Sequence, residues 1–184
     1  MLSLDLKALP ASISPLVVRC SLRALCYDRP LNDSALLRLH ALDAQQPADE
    51  EARTIALRDH LASVAWSGLQ DAQRHHGVDG LGVGPDALSA SAALGMLQRD
   101  FSVGSADLEA WSYLWYRYFV KSGRSLRDIA KILSTTNRTL ERRLIAGHSR
   151  MAEALYELER HAIERSPSDP TDASATEPPT AAAT

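Results

Sequence analysis

Asn137, Arg138, Glu141 and Arg142 recur at intervals of three and four residues. On a helix that spacing puts them on one side, close together. Their chemistry suits the edges of nucleic-acid bases: arginine pairs bidentately with guanine, asparagine with adenine, and glutamate accepts from cytosine. Around them lie Arg124, Arg127, Lys131 and Arg143, cations of the kind that bind phosphates and fix register without reading sequence. Ser125 and Thr136 add hydroxyls and backbone amides at two expected helix N-termini, a further phosphate-binding device. Residues 117–150 hold nine bases and two acids, whereas the rest of the chain holds eleven bases and twenty-one acids. A compact basic segment in an otherwise acidic chain is the footprint expected for a phosphate backbone. The plain alternative is a solvated helical face.

These side chains need two short helices to hold them. Leu126, Ile129, Ala130 and Leu133 repeat at i, i+3, i+4 and i+7, which predicts one helix with an apolar face. Ser125 opens it, with Asp128 three residues on in a capping-box-like arrangement. Ser134-Thr135-Thr136 is a polar break, and Thr136 can cap a second helix on which Leu140 and Leu144 face inward. Two such helices joined by a short turn form a helix-turn-helix. Asn137, Arg138, Glu141 and Arg142 then face outward near the N-terminus of the second helix, the end that enters a major groove.

The segment Ser125-Leu126-Arg127-Asp128-Ile129-Ala130-Lys131-Ile132-Leu133, followed by Thr136-Asn137-Arg138-Thr139-Leu140-Glu141-Arg142-Arg143-Leu144, resembles the tri-helical helix-turn-helix of bacterial transcription factors. It is similar to sigma-factor region four and to LuxR-type regulators, and to helix-turn-helix modules that precede a large NTPase region. The resemblance covers residues 111–150, with two departures: Ser134 stands where the family pattern has the turn glycine, at a cost of roughly 1 kcal/mol if the position takes positive φ, and Thr135 stands where it has an apolar residue. It implies double-stranded DNA as partner and an NTPase or signalling region beyond the C-terminal tail.

Flanking signals set the wider architecture. Ser105 starts a helix with Asp107 and Glu109 in its first turn, where the dipole favours acid. Leu108, Trp111, Trp115, Tyr118 and Phe119 follow at spacings of three and four, and Lys121-Ser122-Gly123 ends it. Upstream, Ser14-Pro15 opens a helix over Leu16–Leu25, and Asn32-Asp33 caps one from Ser34 to about Leu42. Pro47 opens a stretch from Ala48 to about His75, with Ile55, Leu57, Leu61, Val64, Ala65 and Leu69 as its stripe. Residues 77–85 are a glycine-rich loop, and Pro85 starts a helix to about Gln98. After the motif, Leu144, His148, Met151, Leu155, Leu158 and Ala162 repeat at 4, 3, 4, 3, 4. That seam can pair with its copy in a homodimer through residues 144–162, or pack on Trp111, Trp115 and the N-terminal helices. Gly147 either ends this helix or kinks it. Residues 166–184 carry proline and acid with no base and read as a disordered tail or linker. No period-two alternation marks a strand. The expectation is an all-α protein: an N-terminal helical region (1–104), a tri-helical helix-turn-helix unit with a C-terminal helix (105–165), and the tail (166–184).

Several function classes are disfavoured. Two cysteines, Cys20 and Cys26, make no disulfide framework and cannot alone ligate a structural zinc. No apolar run reaches a membrane span, and the first residues lack a basic-then-apolar signal, so a cytoplasmic location is expected. His75-His76 are adjacent, without the i, i+4 spacing of metal ligands. The glycine loop lacks the Gly-Lys-Ser/Thr of a phosphate loop. No catalytic constellation, cofactor or metal site is legible, so no enzyme is expected. The two function readings are a DNA-binding module of transcription regulation and a protein-interaction or assembly module of a larger signalling protein.

Overall fold

Short polar side chains fix where the helices begin. A computed structural model describes residues 11–27, 29–31, 34–43, 47–78, 84 and 87–165. Ser14 Oγ accepts from the Val17 amide at 3.4 Å and starts α1 (Pro15–Cys26). Asp49 Oδ1 accepts from Ala52 at 2.8 Å and starts α3 (Glu50–His75), which follows the one-turn α2 (His40–Asp43). Ser89 starts α4 (Ala90–Ser102), and Ser105 starts α5 (Ala106–Phe119). Ser125 starts α6 (Leu126–Ile132), and the Thr136 hydroxyl accepts from the Thr139 amide at 3.1 Å where α7 (Asn137–Arg165) begins. Each cap satisfies an amide that the helix itself leaves unpaired. Every regular element among the described residues is helical, so the chain is all-α. No helix among them is long and apolar enough to cross a membrane.

α5 is the axle of the structure. Nine consecutive residues, Leu108 to Tyr116, are buried. A helix enclosed on all sides cannot be amphipathic, and here it packs on α3, α4 and α7. Trp115 meets Trp66 of α3 with ring centroids 5.0 Å apart. Within the enclosed run Glu109 and Ser112 have partners among the described residues, whereas the Tyr113 and Tyr116 hydroxyls and the Trp115 indole N–H have none. Ser112 donates to Asp100 Oδ2 at 2.7 Å, and Gln73 Nε2 donates to both oxygens of that fully buried carboxylate at 3.1 and 3.2 Å.

Close crossings explain two glycines. A Cβ on Gly68 would lie 2.7 Å from the Trp111 ring, and one on Gly147 would lie 2.9 Å from the Ala110 carbonyl oxygen. Gly147 therefore does not end α7; it lets the continuous helix cross α5 at close range. The apolar core runs as one cluster from Ile13 to Leu155, across residue 104.

Three local expectations change. The helix expected from Ser34 to Leu42 is a 3-10 turn, Ala35–Arg38, followed by α2. Leu36, Leu37, Leu39 and Leu42 are all buried, and no single α-helical face holds all four. Arg53 donates to the carbonyls of Leu37 and Leu39, while Glu159 takes the amides of His40 and Ala41 at 2.9 and 3.1 Å. Distant side chains thus interrupt the segment at Leu39. Second, the helix expected from Pro85 begins at Ala90, where Ser89 supplies the cap. Third, Ile55 stands outside the α3 stripe at 55% exposure. The expected tail, 166–184, the Asn32-Asp33 cap and residues 79–83 and 85 of the glycine loop lie outside the described residues.

Candidate nucleic-acid interface

The turn between α6 and α7 is closed by backbone hydrogen bonds. Ser134 N–H donates to the Lys131 carbonyl at 3.1 Å, and Thr135 N–H donates to the Ala130 carbonyl at 2.9 Å. This nested pair is the Schellman closure, and it needs a left-handed residue between helix and exit. Ser134 supplies it with φ 50°, the one non-glycine residue at positive φ among those described. Thr135, next to it, is partly buried. Ile129 and Ala130 of α6 are buried, as is Leu140 of α7, and Leu144 is partly buried against the same core.

With the leucines turned in, the other side of the motif faces solvent. Asn137, Arg138, Glu141 and Arg142 are all exposed on the first turns of α7. Arg124, Arg127 and Lys131 are exposed on the approach to α6 and along it. Among the described residues no carboxylate forms an ion pair with Arg124, Arg127, Lys131, Arg138 or Arg142. Five guanidinium and ammonium groups are thus exposed without a contact ion pair, although the Asp128 carboxylate is close enough to Lys131 and Arg124 to feel their charge.

The remaining expected phosphate ligands are otherwise engaged. Arg143 Nε donates to Glu109 Oε2 at 2.6 Å, and both side chains are largely buried, so it bolts α7 to α5. A guanidinium held inside by a carboxylate is a structural cation, and Arg143 leaves the phosphate set. Arg150 and Asp107 repeat the α7–α5 pairing farther along. Ser125 Oγ donates to Asp128 Oδ2 at 2.6 Å while accepting from the Asp128 amide, and this hydroxyl holds the Asp128 carboxyl below its ordinary pKa. The Thr136 hydroxyl lies 3.0 Å from that of Thr139 while capping α7. Both hydroxyls serve their own helices.

The seam beyond the motif is spent inside the chain. His148, Met151 and Leu155 are buried, and α7 packs on α5 and α1. Of the expected heptad positions, Leu158 is left 41% exposed. A homodimer through residues 144–162 therefore lacks its apolar stripe, because Trp111, Leu114 and the N-terminal helices lie against the same core.

His148 belongs to that seam by spacing, yet its surroundings are particular. Tyr118 Oη lies 3.0 Å from its Nε2. Burial, reinforced by the nearby Arg19 charge, pushes its pKa down to about 4. The imidazole is neutral at ordinary pH.

The chain matches no protein-family profile, no curated protein and no solved structure. No group of three or more metal-ligating side chains comes together among the described residues.

Proposed function

We propose that the chain is a DNA-binding module of the helix-turn-helix kind, working in transcription regulation in the cytoplasm. The observation that carries this reading is the cationic face of α6, the Ser134 turn and the start of α7, exposed and free of internal ion pairs. Arg138 and Arg142, with Asn137 and Glu141, read base edges in the major groove. Arg124, Arg127 and Lys131 contact flanking phosphates. The test is duplex binding titrated against salt, with random and selected sequences compared. Arg138→Ala and Arg142→Ala each lose about 1–3 kcal/mol and relax discrimination at one base pair. Lys131→Ala weakens all sequences alike and lowers the salt slope by about one. A double Arg138→Ala/Arg142→Ala variant that binds selected duplex as well as wild type at matched salt would refute the groove assignment.

A second reading, a protein-assembly module, draws on apolar side chains left in solvent along α7: Ile145, Leu158 and Ile163 at 63%, 41% and 51% exposure. Under it, Ile145→Asn abolishes a protein contact and leaves duplex affinity intact.

A further inference from the structure

A cavity of about 410 Å³ opens between α1, α5 and α7, next to the start of α6. Its volume falls within the roughly 300–1,000 Å³ of small-molecule sites. Arg19 and Arg23 of α1 and Arg117 of α5 stand on its wall, with apolar surface from Leu126, Leu144 and Ile145. Glu141 is the carboxylate on the same wall. None of the three arginines is ion-paired among the described residues; Arg117 reaches only the Tyr27 hydroxyl, at 3.5 Å.

Tyr113 lines this cavity too, and it is 0% exposed. Among the described residues its hydroxyl has no hydrogen-bond partner, as is true of the Tyr116 hydroxyl and the Trp115 indole N–H on the same helix, but of these three residues only Tyr113 lines this cavity. A buried hydroxyl without a partner is costly, and native structures seldom leave one unexplained. Cationic wall, apolar wall and unused buried donor therefore meet in one place.

We propose that this cavity binds a small organic anion, a carboxylate carried on an apolar body about the size of two fused rings. Arg19, Arg23 and Arg117 take the charge, and the Tyr113 hydroxyl donates to a carboxylate oxygen. Leu126, Leu144 and Ile145 cover the apolar body. An inorganic ion would leave most of this volume and all of the apolar wall unused. His148 also lines the cavity, and burial keeps its imidazole uncharged, so it neither repels nor captures the ligand by charge. The site does not rest on the duplex reading but adjoins that surface, since Glu141 lines the cavity and also belongs to the base-reading set.

The test is calorimetric titration of the full chain with naphthoate, with the neutral naphthyl methanol, and with inorganic phosphate. Naphthoate saturates one site, and the alcohol and phosphate each bind at least about tenfold more weakly, since each lacks one half of the recognition. Arg19 and Arg23 are exposed, so their replacement spares the fold. The Arg19→Gln/Arg23→Gln pair weakens naphthoate about tenfold, and Tyr113→Phe weakens it about threefold without lowering the urea midpoint. Three results would overturn the proposal: no saturable naphthoate binding, equal affinity for the alcohol, or unchanged affinity in both variants. If the arginine pair lowers duplex affinity while naphthoate binding is untouched, those cations belong to the nucleic-acid surface and the cavity site falls. Failure of wild type to bind duplex leaves this titration and its outcome unchanged.

Discussion

Acidification is expected to destabilise this protein through buried imidazoles, of which His148 is the more strongly shifted and His60 is displaced in the same direction. His148 is 3% exposed, and burial pushes its pKa down to about 4 from an ordinary 6.5. The unfolded chain therefore takes up a proton near pH 6.5 that the native chain refuses until about pH 4. Because the native pKa is the lower one, the stabilising contribution is complete above about pH 6.5 and erodes as pH falls toward about 4. At about 1.36 kcal/mol per pH unit the whole gap is worth roughly 3 kcal/mol. By about pH 4.5 roughly 2.5 kcal/mol of it is gone. The assay is urea denaturation followed by far-UV circular dichroism across that window, for wild type and for His148→Gln. Glutamine keeps a polar partner for Tyr118 and does not titrate. The carboxylates are common to both proteins, so the difference between the two curves isolates the histidine. Wild type loses stability more steeply, and the curves converge on the acid side. Parallel curves over the whole window would refute the reasoning, showing that the imidazole is hydrated or already protonated.

Three further outcomes follow from the packing. Ser134→Gly relieves a left-handed serine and raises stability by about 0.5–1 kcal/mol, read as a higher urea midpoint with an unchanged m-value. Gly147→Ala should gain helix propensity yet lose about 1–2 kcal/mol net, because the added methyl meets the Ala110 carbonyl and Leu114; a rise in melting temperature would contradict this. Arg143→Met strands the Glu109 carboxylate and costs about 3 kcal/mol, the companion Glu109→Met change restores much of it, and the salt slope of any duplex binding stays at its wild-type value.

Local chemistry made part of this fold legible. The caps at Ser14, Ser105, Ser125 and Thr136 depend on residues three positions away, and each appears where the sequence suggests. The turn at Ser134 was legible only through the family resemblance, whose pattern has glycine there; the serine nonetheless takes the left-handed backbone. What escaped notice depends on distant partners. Arg143 has the same local setting as Arg142, and only the crossing of α7 over α5 turns one toward Glu109 and the other toward solvent. The 3.5-residue seam fits a dimer or a core equally well until α1 and α5 are present to fill it. The break at Leu39 is imposed by Arg53 and Glu159, which no window around Leu39 contains. The Tyr113 cavity requires three helices at once, so spacing along one of them is silent about it.

The unbroken span of α7 has a mechanical consequence. Its 29 residues form a rod about 43 Å long. Glu159 grips α2 toward one end, the exposed arginines occupy the other, and the tight contact at Gly147 sits between them like a fulcrum. The short arm, from Gly147 to Asn137, measures about 15 Å. Tilting the rod by about 10° would swing the arginine end by about 2.6 Å, comparable to a hydrogen-bond length. Whatever pushes on the far arm would therefore be felt at the charged tip only as far as the Arg143–Glu109 and Arg150–Asp107 pairs, which flank Gly147 and tie α7 to α5, yield to it.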